Sequence, residues 1–151
     1  MKKDTSKSCV IVMAEDDSDD RLLTTDALAE CDWKADLRFV ENGEELLDYL
    51  MHRGKYSQSS SSPRPGLILL DLNMPKKDGR EALREIKANA DLRRIPIVIL
   101  TTSKADTDIA GLYDLGANSF ISKPVQFESL VRVMRTLGQY WFHTVQLPAL
   151  I

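Results

Sequence analysis

Three nearly unbroken apolar runs punctuate the chain: CVIVMA at 9–14, GLILL at 66–70 and IVIL at 97–100. None of them alternates, which is how strands read when both faces of a parallel sheet are covered. Two weaker segments, ADLRFV at 35–40 and NSFIS at 118–122, mix in polar residues and suit the edges of such a sheet. Helical patterns fall between them. SDDRLLTTDALAE opens with Ser18 as an N-cap and carries Leu22, Leu23, Ala27 and Leu28 at helical spacing. NGEELLDYLMHR presents Leu46, Leu47 and Leu50, and DGREALREIKANA presents Ala82, Leu83 and Ile86. A fourth helix is predicted over 106–115, ending before Gly116, and a fifth starts near Phe127.

Five strands alternating with five helices predict an α/β, doubly wound five-stranded parallel sheet, because each parallel connection needs a crossover helix. Ligands in such sheets bind beyond the carboxyl ends of the strands. The segment KYSQSSSSPRPG at 55–66 departs from globular composition and reads as a flexible surface loop.

The strand ends collect the chemistry. Glu15 and Asp16 follow the first run, Asp71 follows the third strand with Asn73 just after it, Thr101 and Thr102 close the fourth, and the fifth leads into Lys123 and Pro124. In a doubly wound sheet these residues meet at one rim, where three carboxylates crowd together. Like charges at close range raise one another's pKa unless a cation intervenes. An all-oxygen site with few protein ligands is what Mg²⁺ prefers. Lys123 brings a further positive charge, able to pair with Asp71 or with a phosphoryl oxygen. Asp71 then reads as a nucleophile toward phosphorus, a role open to carboxylates, with Thr101 and free backbone amides completing an anion cradle. His52 and His143 fall away from the rim and read as surface or interface side chains.

Composition narrows the partners. The 151 residues suit one domain with its own core. The net charge of −3 gives no basic footprint for nucleic acid. Cys9 and Cys31 show no pairing or metal-ligand spacing and read as reduced thiols. The first apolar run is too short for a signal-peptide core or a membrane span, so a cytoplasmic location is expected, with no membrane partner.

In order along the chain, MAEDD (13–17), DLNMPKKDG (71–79), ILTTSK (99–104) and SKP (122–124) resemble the receiver domain of two-component response regulators. The resemblance covers residues 8–145, with tails at 1–7 and 146–151, and implies the flavodoxin-like strand order 2-1-3-4-5. It implies that Asp71 is the phosphoacceptor and that Asp16 is a direct metal ligand, with Glu15 acting through water. The main-chain carbonyl of Asn73 would also hold the Mg²⁺. Thr101 would be the switch hydroxyl, with Thr102 beside the phosphoryl group, Lys123 the motif lysine, Phe120 the aromatic switch position and Lys123–Pro124 a cis peptide. Asp17, Asp19 and Asp20 read instead as acids favouring the positive end of the first helix, and Asp78 as an N-cap.

After Lys123 there is room for one helix and a short tail, so the chain is expected to signal through a partner or its own oligomerisation. FESLVRVMRTLGQYWFHTV sets Phe127, Leu130, Met134, Leu137 and Trp141 on one seam. Val133, Tyr140, Phe142, Val145 and Leu147 add apolar surface at other angles, which predicts a homodimer through the last helix and tail. LLDYLMHRGKY, LNMPKKDGREAL and YWFHTVQLP are similar to single-domain regulators that partner bacterial phytochrome histidine kinases, which implies a phosphohistidine donor on such a kinase. Rival readings are a receiver that binds without phosphorylation, a haloacid-dehalogenase-like phosphatase and a flavin-binding protein. The phosphatase wants a second aspartate where this chain has Asn73, and acids stand where a flavin phosphate would need a cradle.

Overall fold

The computed structural model describes residues 10–58, 60, 62–102 and 109–148. Strands β1 (Val10–Ala14), β2 (Asp36–Val40), β3 (Leu67–Leu70), β4 (Ile97–Thr101) and β5 (Ser119–Ser122) alternate with helices α1 (Ser18–Ala29), α2 (Gly43–Met51), α3 (Gly79–Ala88), α4 (Ile109–Asp114) and α5 (Phe127–His143). The sheet is parallel throughout, in the order β2-β1-β3-β4-β5. The fold is therefore the expected flavodoxin-like one.

The unbroken apolar runs have the predicted cause. Every residue of β1, β3 and β4 is buried, whereas the edge strands β2 and β5 are largely half-exposed. Alternate side chains feed two cores. Val12, Ala14, Ile68, Leu70, Ile97 and Ile99 face α2, α3 and Leu112 of α4. Ile11, Met13, Leu67, Leu69, Val98 and Leu100 face α1 and α5. Full burial of each such side chain is worth roughly 1.5–3 kcal/mol, which makes the three central strands a stiff floor under the rim.

The helices begin where capping chemistry permits, and one start moves. Asp17, not Ser18, caps α1: it is extended (φ −87°, ψ 117°) and its carboxylate accepts from the amides of Asp19 and Asp20. A full negative charge suits that end better than a hydroxyl. The core face of α1 also differs from expectation. Thr24, Ala27 and Leu28 meet the sheet, while Leu22 and Leu23 are exposed. Thr24 can be buried because its hydroxyl donates to the Asp20 carbonyl at 2.9 Å. Asp78 caps α3 as predicted, in a reciprocal capping box with Glu81. The predicted start of α4, 106–108, lies outside the described residues, as do Cys9, the tail at 1–7 and residues 149–151. Gly116 closes α4 at φ 111°, a conformation that favours glycine.

Among the described residues of the 55–66 segment, two points are anchored to the neighbouring structure. After a short 3₁₀ turn at Gly54–Tyr56, Ser62 is fully buried with its hydroxyl hydrogen-bonded to His52 Nδ1 at 2.9 Å, and Tyr49 donates to the Pro63 carbonyl at 2.7 Å. Local polar bonds supply here the anchoring that composition conceals. Cys31 is half-buried without a disulfide, and burial pushes its thiol up.

Candidate functional site

Backbone register assembles the rim. The Glu15 amide continues β1 by donating to Val40 O at 2.9 Å, the Asp71 amide donates to Ala14 O at 3.2 Å, and the Lys123 amide donates to Thr101 O at 2.8 Å. Each chemical residue is thus one step past a hydrogen-bonded strand end, and the parallel pairing sets these ends along one rim. Gly79 closes the floor: a Cβ there would lie 2.3 Å from the Asp71 carbonyl oxygen, so only glycine lets α3 approach the β3 end this closely.

Glu15, Asp16 and Asp71 each offer a carboxylate oxygen, and these oxygens lie within 4.8 Å of one another. Glu15 and Asp71 are buried, at 1% and 6% exposure, while Asp16 faces solvent. Asp71 Oδ1 accepts from the Thr101 hydroxyl at 2.7 Å and from the Asn73 amide at 3.3 Å. The Asn73 amide is therefore turned onto Asp71 itself. Thr102 is exposed just beyond β4, and Phe120 is half-buried on β5 against the α2–α4 core.

The structure modifies the expectation for Lys123. Its ammonium lies 2.5 Å from Glu15 Oε1 and 2.9 Å from Asp20 Oδ2, but 3.6 Å from Asp71 Oδ2. The nearest partners are Glu15 and Asp20, so Asp20 is both an acid in the first turn of α1 and a member of the site. Asp20 stands four residues beyond Asp16, the single hint of this in the chain order. Burial opposes the ammonium charge, but the bonds to Glu15 and Asp20 and the field of Asp71 outweigh it and raise the lysine above its ordinary range. Burial, against the hydrogen bond from Lys123 and aided by the charge of Asp71, pushes the Glu15 carboxyl up to about 7. Arg21, also not anticipated, donates to the Glu15 carbonyl at 2.8 Å and braces the turn that carries the acidic pair. The expected cis peptide before Pro124 is not found: among the described residues every peptide bond is trans, the isomer an X–Pro bond favours by about 0.5–1 kcal/mol.

This donor set is all-oxygen, over-supplied with negative charge and open at Asp16, features that fit a hard divalent cation. His52 ends α2 in the left-handed region and His143 bonds the Gly138 carbonyl, so neither is tied to the rim.

The residues expected at an interface divide. Phe127 is 39% and Tyr140 50% exposed. Trp141 and Phe142 pack partly against the α1–α5 core, with Phe142 stacked on Trp33 at a centroid distance of 5.6 Å. Val145, half-exposed, bonds back to the Tyr140 carbonyl. Among the described residues, no helix is long and apolar enough to cross a membrane.

Comparison with known proteins agrees with the geometry. Residues 11–135 match the response regulator receiver domain. Over 149 residues the chain is 39% identical to Response regulator Rcp1 of Synechocystis sp., covering 99% of each. A solved structure of the Mn²⁺-bound form of response regulator Rcp1 is 40% identical with a TM-score of 0.82, covering 93% of this chain and 99% of that one. The phosphorylated cyanobacterial phytochrome response regulator RcpA is 40% identical with a TM-score of 0.84, over the same shares of the two chains.

Proposed function

The chain belongs to the response regulator receiver domain family, and on that premise we propose that Asp71 accepts a phosphoryl group from a sensor histidine kinase in a Mg²⁺-dependent reaction. The observation that carries this is the Asp71 carboxylate at the end of β3, with Thr101 at 2.7 Å, Lys123 at 3.6 Å and two further acids within 4.8 Å. Its Oδ1 is engaged by Thr101 and Asn73, which leaves Oδ2, facing Lys123, as the candidate nucleophile. Attack on a phosphohistidine forms a P–O bond to Asp71 as the P–N bond breaks, and the imidazole keeps the electron pair. Such a transfer needs positioning and charge neutralisation more than a base.

Glu15, Asp16, Asp71 and the main-chain carbonyl of Asn73 would hold the Mg²⁺, whose charge offsets that of the transferred oxygens. Lys123 supplies a second positive charge beside Asp71. Thr101, whose hydroxyl already points at Asp71, donates next to the phosphoryl group, with Thr102 at the mouth, and Phe120 on β5 is the side chain that follows a change at Thr101.

The likeness to RcpA supports a phytochrome-type kinase as the donor. In this reading the protein acts in the cytoplasm and pairs with a second copy through Phe127, Tyr140, Trp141, Phe142 and Val145, a surface supported by the exposure of Phe127 and Tyr140. Incubation with a small-molecule phosphodonor and Mg²⁺, followed by intact mass, should show one added phosphoryl group. Asp71→Asn should show none, and an equal gain in that variant would refute the assignment.

A further inference from the structure

We infer that Asp20 is a positioning residue for phosphoryl transfer, which holds the Lys123 ammonium just short of hydrogen-bond distance from Asp71 until the phosphoryl group arrives. The inference rests on the proposed function and deepens it. An ammonium has three protons to give. Two are directed to Glu15 Oε1 at 2.5 Å and Asp20 Oδ2 at 2.9 Å, while Asp71 Oδ2 at 3.6 Å is paired only by charge, beyond hydrogen-bond distance.

Asp20 is well placed for this task. Its amide is fixed by the Asp17 cap at 3.3 Å and its carbonyl by the Thr24 hydroxyl at 2.9 Å, so the first turn of α1 cannot easily follow a moving lysine. Lys123 instead follows β5, an edge strand that is only half-buried. When charge accumulates on the transferred group, the lysine is the partner able to move, and it leaves Asp20 to do so. Asp20 is 32% exposed in its side chain, whereas Lys123 is 9% exposed, so the contact that is surrendered is the wetter one. The tight Glu15 contact can persist while one donor turns to phosphorus. Asp20 is therefore a ground-state partner that is relinquished in the transition state, and an interaction of that kind slows the step.

Asp20→Asn should keep the shape and weaken the hold. With a small-molecule phosphodonor and saturating Mg²⁺, its phosphorylation rate should rise roughly two- to fivefold, the factor expected from releasing one partly exposed ion pair. Asp19→Asn removes the same charge from the same turn without touching Lys123, and should leave the rate unchanged. In metal-free protein, a urea double-mutant cycle of Asp20→Asn with Lys123→Met should show coupling, a readout a purely structural helix-end acid would not move. A rate that is unchanged or lower in Asp20→Asn, an equal rise in Asp19→Asn, or no coupling would each overturn the inference while the proposed function stands. A wild-type chain that takes up no phosphoryl group would overturn both.

Discussion

Glu15 makes the metal-free rim sensitive to pH in a direction that can be worked out beforehand. Its side chain is 1% exposed, and burial beside Asp71 raises the carboxyl from 4.5 to about 7. The folded state therefore holds a proton that the unfolded state releases. The stability this contributes is complete below the unfolded value of 4.5 and is lost as pH climbs through about 7. Linkage between those two values gives a loss of about 2 kcal/mol between pH 5 and 7 from this one group. Glu15→Gln keeps an oxygen for Lys123 but has nothing to titrate, so its stability should change less steeply over the same range, by about the same 2 kcal/mol. The assay is urea denaturation of both chains in a chelator at several pH values, then again with Mg²⁺. The cation favours the ionised carboxylate, so it should flatten the wild-type curve and leave the variant's slope nearly as it was. Parallel wild-type and Glu15→Gln profiles in the chelator would show that Glu15 is not the buried acid described here.

Two other perturbations test the frame around the rim. A Cβ at Gly138 would fall 1.9 Å from Trp33 Cε2 and 2.3 Å from its Nε1, so Gly138→Ala must displace the indole from α5 and from its stack on Phe142. Overpacking costs roughly 1–3 kcal/mol and the gain in helix propensity returns about 1; the urea midpoint should fall accordingly, and an unchanged midpoint would contradict the packing. Tyr140 is 50% exposed, so Tyr140→Glu should leave the urea curve near that of the wild type while light scattering shows a smaller dimer fraction; an undiminished dimer would place the interface elsewhere.

What could be read from the chain in advance follows from how local its causes are. Continuous burial of β1, β3 and β4 leaves an apolar run with no alternation, so the strands and their parallel pairing were visible. The acids after those runs were visible too, because a carboxylate ending a buried strand has few structural reasons to be there. The edge strands β2 and β5 were weaker signals because half of each faces water. Asp20 is, as expected, an acid in the first turn of α1, but its additional bond to Lys123 has no local signature, because it spans most of the chain. The same distance hid the Trp33–Gly138 contact. Burial of Ser62 was hidden differently, since a serine-rich segment looks alike whether or not one hydroxyl is captured by a histidine.

The rim is built from two kinds of wall, and the difference bears on where a charge change at Asp71 can be felt. Glu15, Asp71 and Thr101 end strands whose residues are all buried, and Gly79 pins the Asp71 backbone from below. Lys123 ends β5, which among the described residues pairs with β4 alone and is half-exposed along most of its length. Local opening is easiest where burial is least, so the lysine side yields before the acid side does. β5 also places Phe120 against the α2–α4 core and Ile121 against the α1–α5 core. A shift of this one strand therefore reaches both layers at once, including the α5 helix that carries Tyr140. Besides the direct packing of Leu67 and Leu69 of β3 on α5, Lys123 and β5 thus offer a second route from Asp71 toward the proposed interface, and the hold of Asp20 on that lysine lies at its start.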